Sequence, residues 1–182
     1  YKQLYYNILI YRTPHYVNKS SLPKVYGGFN TSLSWKGFDL SAIFAYSIGG
    51  YIYNRDITMI LHNGSLEGRD WSTEILRRWT PDNRYTDVPA LSTTSNNWNS
   101  ASTRFLQNNS YMRLKNLTLS YNLPKQWISK LSLSSVQVYV QGDNLFTIHR
   151  NQGLDPEQGI TGITYYRYPA MRTISGGINV SF

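Results

Sequence analysis

From Val25 to Ile48 the chain alternates with period two, the repeat that puts successive side chains on opposite faces of a strand. Val25, Gly27, Phe29, Thr31, Leu33 and Trp35 fall on one side, with Tyr26, Gly28, Asn30, Ser32 and Ser34 on the other. After Lys36-Gly37 the apolar side resumes as Phe38, Leu40, Ala42, Phe44, Tyr46 and Ile48, against Asp39, Ser41, Ile43, Ala45 and Ser47. A two-residue turn there sets Trp35 against Phe38, Leu33 against Leu40 and Phe29 against Phe44, all on the apolar side. Glycine in the second place supplies the positive φ that such a turn requires. The pattern predicts strands over about residues 25–35 and 38–48.

Three further strands are expected at about residues 110–123, 136–146 and 172–182. Leu117, Leu119, Tyr121 and Leu123 oppose Asn116, Thr118, Ser120 and Asn122. Val136, Val138 and Val140 oppose Gln137, Tyr139 and Gln141, while Leu131 and Leu133 have the other parity, which calls for a turn or bulge at Ser134-Ser135. Ile174, Gly176, Ile178, Val180 and Phe182 oppose Ser175, Gly177, Asn179 and Ser181. One conflict stands out, because Arg113 and Lys115 share the parity of Leu117. If the apolar side faces lipid, a basic residue at mid-bilayer costs about 2–4 kcal/mol and little at the interface. Arg113 and Lys115 are therefore expected above the apolar band, or separated from Leu117 by a bulge.

Strands of this length suit a tilted crossing of a bilayer. The opposing faces are small and uncharged, aromatics gather at strand ends, and the connections alternate short and long. Outer-membrane barrels put their short turns on the periplasmic side and their long loops outside, and every connection here can obey that rule. The expected class is all-β, a set of strands from a large antiparallel transmembrane β-barrel with long extracellular loops. Five strands cannot close a barrel, so the remainder is expected from additional sequence. The lack of a signal peptide and of an initiator Met fits the same expectation. The rival readings are a passive porin and a soluble carbohydrate-binding β-sandwich.

Composition narrows this further. The 182 residues include 16 Tyr, 5 Trp and 6 Phe, residues that suit strands and membrane–water interfaces. No stretch of roughly 18 apolar residues exists to form a transmembrane helix. With no Cys there are no disulfides, thiolate zinc sites or thiol nucleophiles. The net charge of +8 raises the question of nucleic acid, but the basic residues are dispersed and no basic-aromatic binding motif accompanies them. His15, His62 and His149 lie far apart in sequence, without metal-ligand spacing. Asp155 and Glu157 flank Pro156, and adjacent acids in an extended loop are expected to point apart rather than act as a hydrolytic pair. Asp143 with these two is a weak calcium candidate. No nucleophile elbow or phosphate loop is present. No cofactor and no catalytic role are expected.

The ordered set of short motifs resembles the C-terminal end of the SusC/RagA family of TonB-linked outer-membrane proteins of the Bacteroidota. It runs through Tyr26-Gly-Gly-Phe29, Trp35-Lys-Gly-Phe-Asp-Leu-Ser41, Arg77-Arg-Trp79 with Pro81, and Ser110-Tyr-Met-Arg-Leu-Lys-Asn-Leu-Thr-Leu-Ser-Tyr121. It continues with Val138-Tyr-Val-Gln-Gly-Asp-Asn-Leu-Phe146, Gly153-Leu-Asp-Pro-Glu157, Tyr168-Pro169 and Gly177-Ile-Asn-Val-Ser-Phe182. The resemblance begins near Leu22, which leaves residues 1–24 as an unassigned strand or loop and 25–182 as barrel. It implies a barrel of about 22 strands with a plug. It also implies a multi-pass location in a Gram-negative outer membrane and energised import of oligosaccharides or peptides. The implied partners are a SusD-like lipoprotein lid, TonB through a plug region that this sequence does not include, outer-membrane lipid, and the barrel-assembly machinery reading Phe182. The loop over residues 49–109 carries one helical signal, Trp71, Ile75, Leu76 and Trp79, with Asp70 as expected N-cap. Packing is the ordinary reading of such a stripe. The functional reading makes Trp71, Trp79, Tyr85 and Trp98 contacts for ligand or lid.

Overall fold

A computed structural model describes residues 17–62, 68–92, 100–131, 133–164 and 166–182. In chain order its elements are β1 (Val25–Trp35), β2 (Phe38–Ile48), β3 (Tyr51–Asn54), α1 (Arg55–Ile60), β4 (Leu106–Asn108), β5 (Tyr111–Asn122), α2 (Lys125–Ile128), β6 (Ser135–His149), β7 (Ile163–Thr164) and β8 (Thr173–Ser181). Among the described residues the strands form a five-stranded sheet, β1-β2-β5-β6-β8, and a three-stranded sheet, β4-β3-β7.

The larger sheet, the wall, is antiparallel throughout. β1 and β2 pair over their whole length in the register that the alternation requires, from Val25↔Ile48 to Trp35↔Phe38. Lys36 and Gly37 both have positive φ (48° and 90°), the geometry whose twist matches that of the flanking strands. Across the pair, Phe29 stacks on Phe44 with centroids 4.7 Å apart. A row of partners then crosses the sheet as Leu33, Leu40, Leu119 and Val140, ending at Gly176. Its apolar side chains all stand exposed, as do Phe38, Phe146, Ile174 and Ile178 on the same face. This face has no protein cover among the described residues.

The Arg113 conflict is resolved by a bulge at Lys115. Asn116 pairs with Ile43 and Leu114 with Phe44, so Lys115 is the extra residue against β2. Toward β6 the register also shifts, with Asn116 opposite Asp143 and Leu114 opposite Phe146. Asn144 there adopts a positive φ of 52°, and Leu145 lies over the place that a side chain at Gly142 would occupy. The bulge changes parity. Leu114 and Met112 join the apolar face, while Arg113 turns to the polar face between Ala45 and Thr147.

The polar face is hydrogen-bonded along its length. Asn122 donates to Asp39 at 2.6 Å, Asn116 donates to Asp143 at 2.8 Å, and Gln141 also donates to Asp143. Gln137 links Ser120 to Asn179 nearer the short turns.

The long connections hold structure that periodicity does not predict. β3, β4, β7, α1 and a 3₁₀ turn at Thr73–Arg77 form a small cap with its own buried residues, Ile52, Leu61, Ile75, Val88 and Phe105. Tyr53 meets Phe105 edge to face at 6.1 Å. Two expectations are corrected here, the helical signal around Trp71 and the end of the fourth strand. The helical signal around Trp71 forms only a 3₁₀ turn, capped by Ser72 accepting from Glu74 N–H, because Ser72 and not Asp70 immediately precedes the turn. The connection after β5 holds α2 and a 3₁₀ turn at Ser129–Leu131, and the next strand starts at Ser135, next to the expected residue 136. That strand runs on to His149, beyond the expected end at Phe146, because the bulge restores alternation through Phe146 and Ile148.

Candidate functional site

The densest polar constellation lies where β5 begins and β6 ends, under the connection from β6 to β8. Arg113 is 3% exposed and spends its guanidinium on three side chains. Its Nε donates to Thr147 Oγ1 at 2.9 Å, Nη1 to Glu157 Oε2 at 2.8 Å, and Nη2 to Asp155 Oδ1 at 2.7 Å. Lys115, the bulge residue, donates to both oxygens of Glu157. Asp155 also accepts the N–H of Glu157 at 2.8 Å and the N–H of Ala170 at 2.7 Å. Burial by itself raises the Asp155 carboxyl, but the Ala170 and Glu157 N–H groups and the Arg113 guanidinium outweigh it. They hold it below its ordinary value of 3.8.

This corrects the expectation that Asp155 and Glu157 point apart: both converge on Arg113. Both acids are committed to cations, which leaves neither placed as a free acid for hydrolysis. Asp143 sits elsewhere, with Asn116 and Gln141. Among the described residues no cluster of three or more acids or histidines is placed to hold a metal ion.

Around Arg113 the connection is pinned at further points. Asn109 Nδ2 donates to the Pro156 carbonyl at 2.8 Å, Asn151 Nδ2 donates to Asn109 Oδ1 at 2.9 Å, and Gln158 Nε2 donates to the Asp155 carbonyl at 2.6 Å. Ser21 Oγ donates to the Ile160 carbonyl at 2.8 Å and brings the approach to β1 against the same connection. Between these pieces and the wall lies an open pocket of about 310 Å³. Tyr26, Ser47 and Tyr111 line it from the wall, with Pro156, Gln158 and Ile160 from the connection.

The sequence-selected aromatics are not brought together by the described contacts. Trp71 meets the buried ring of His62 edge to face at 5.1 Å, so part of its surface is spent on packing. Trp79 donates its backbone N–H to Val88, while Tyr85 stands almost fully exposed. Trp98 and His15 lie outside the described residues, as do residues 1–16 of the unassigned segment. Phe182, 93% exposed, follows the last strand residue. The pattern of the sequence does not reveal the cluster of Arg113, Lys115, Asp155 and Glu157; its one signal is the parity conflict at Arg113 and Lys115.

No family model matches the chain. TonB-dependent receptor P3 of Formosa agariphila is 34% identical over 166 residues, covering 85% of this chain and 16% of the relative. TonB-dependent receptor SusC of Bacteroides thetaiotaomicron is 27% identical over 168 residues, covering 92% of the chain and 16% of SusC. Among solved structures, the RagAB peptide transporter superposes with a TM-score of 0.82 at 35% identity, over 91% of this chain and 18% of the other. The chain thus spans about one-sixth of the length of the curated relatives it matches.

Proposed function

The chain belongs to the SusC/RagA family of TonB-dependent receptors, and on that premise we propose that it is the C-terminal wall and outer loops of an outer-membrane importer. Residues 25–182 would close a barrel with strands contributed by the rest of such a protein. The observation that carries this reading is the one-sided wall. Leu33, Leu40, Leu119, Val140 and Ile178 stand exposed on one face, and the other is small, polar and hydrogen-bonded. Lipid suits the first face and a hydrated lumen the second.

The substrate class in this reading is glycans or peptides, the matched RagAB being a peptide importer. A SusD-like lipoprotein closes over the loops, TonB acts through a plug region, and the barrel-assembly machinery reads Phe182. Trp71, Trp79, Tyr85 and Trp98 are the proposed contacts for ligand or lid. The protein acts as a conduit, and no catalytic step is assigned to it.

The test follows the whole polypeptide that contains Gly177-Ile-Asn-Val-Ser-Phe182 through fractionation of the cell envelope. It should extract from outer membranes only with detergent, and uptake of labelled oligosaccharide or peptide should stop when TonB is deleted. TonB-independent uptake would make it a passive porin. Recovery in a membrane-free fraction would leave a soluble glycan-binding sheet.

A further inference from the structure

Arg113 costs the wall a regular register on both sides. Without the bulge it would share the parity of Leu117 and point out from the apolar face. Turned inward, its single planar group ties the end of β6 to the middle of the connection that follows it. Thr147 lies at the exit from β6, Asp155 and Glu157 in the middle, and Ala170, bound through Asp155, at the approach to β8. A guanidinium suits this task because its rigid fork offers donors in three directions at once, whereas an ammonium is a point charge. Lys115 balances the remaining charge of Glu157 from the same side. Removing Arg113 would leave Asp155 buried beside Glu157 without its cation, and the two like charges would push the connection off the wall.

We propose that Arg113 is a positioning residue that latches the connection at Asp155 and Glu157 against the inner side of the wall, so that residues 156–160 stand as a fixed side of the 310 Å³ pocket. The connection is then a built part of the lumen's lining rather than a loop free to sample the outer surface. A substrate passing this pocket meets Tyr26 and Tyr111 on one side and Pro156 and Gln158 at a set distance on the other.

The experiment uses the full-length protein in its own outer membrane, with hydrogen–deuterium exchange as first readout. Arg113→Met should raise exchange across residues 150–172, including the amides of Glu157 and Ala170, by about tenfold or more. Amides in the middle of β5 and β6 should not change. Arg113→Lys should restore part of the protection, since it returns the charge without the fork. Should Arg113→Met fail to assemble, Asp155→Asn tests the same latch from the connection side and carries the same expectation. Unchanged exchange of residues 150–172 in whichever variant assembles overturns the proposal.

A second readout, uptake kinetics, rests on the transport reading above; the exchange readout does not. The half-saturating substrate concentration should shift by about threefold or more with the maximal rate within about twofold, because the latch shapes a binding surface rather than the energised step. A fall in maximal rate alone would assign Arg113 to assembly and overturn its role at the pocket. If the wild type shows no TonB-linked uptake while Arg113→Met still frees the connection, the latch stands and the transport reading falls.

Discussion

In the wall, side chains such as Leu33, Leu40 and Val140 stand out from the sheet into the surroundings, whereas in the cap Ile52, Val88 and Phe105 are shut inside. The wall's polar bonds face the other way and run from strand to strand; the cap's elements are short and held by buried apolar contacts. The two regions therefore draw stability from different sources. The cap shuts apolar side chains such as Ile52, Val88 and Phe105 inside itself, together with polar Asn54 and Thr164, and the wall needs an apolar medium that is not part of the chain. Pairing satisfies the backbone from β1 across to β8 but leaves the outer edges of those two strands open among the described residues, and only the medium favours the exposed apolar face.

That contrast can be broken by a single change on each side. Phe105→Ala opens a cavity in a core with little else to fill it and should cost about 3–5 kcal/mol. In the full-length protein the cost should show as faster hydrogen exchange in β3, β4 and α1, with the wall unaltered. Loss of protection in the wall as well would mean that the two regions unfold as one unit. Next in size, Leu117→Arg, in the middle of β5 on the apolar face, should lower barrel stability by about 2–4 kcal/mol in urea titrations in lipid, and Thr118→Arg on the other face by much less. Equal losses from the two would remove the distinction between lipid-like and water-like faces. Ser72→Ala deletes the cap of the Thr73–Arg77 turn and should cost about 0.5–2 kcal/mol, read as exchange around Ile75 only.

The smallest effect concerns acid. The Asp155 carboxyl is held below its ordinary 3.8, so its contribution is complete above that value and is lost as pH falls through the lower folded value. Exchange of residues 150–172, corrected for its intrinsic pH dependence, should therefore be flat from about pH 8 to 5 and rise only below about pH 4. Loosening already at pH 6 would point to a different titrating group.

How much could be read beforehand differs between the regions for a physical reason. The wall was legible to the level of individual pairs, Trp35 with Phe38 and Phe29 with Phe44, because alternation has one period and a two-residue turn has one register. The cap was not, because β3, β4 and β7 have four, three and two residues and leave no period to detect. The parallel pair Tyr53↔Ile163 joins segments that no local pattern links. Ser72 displaced Asp70 because the periodic stripe overstated the length of the helical turn. The latch was half legible. Arg113 and Lys115 announced a break in the pattern, but their partner Glu157 lies about forty residues onward in a segment without periodicity.

The turn at Lys36-Gly37 also sets an order in time. The ribbon that it joins needs closure of only two residues, and hairpins of this kind form in about 1–10 μs. β5 can join β2 only after the chain over residues 49–110 has been drawn back, a non-local step that is intrinsically slower. Until it does, the β2 edge carries a row of unpaired backbone groups beside exposed Phe38 and Leu40, which makes that interval the moment of greatest danger from other chains. A chaperone that shields this segment of the newly made chain should therefore lay its grip first on residues 38–48.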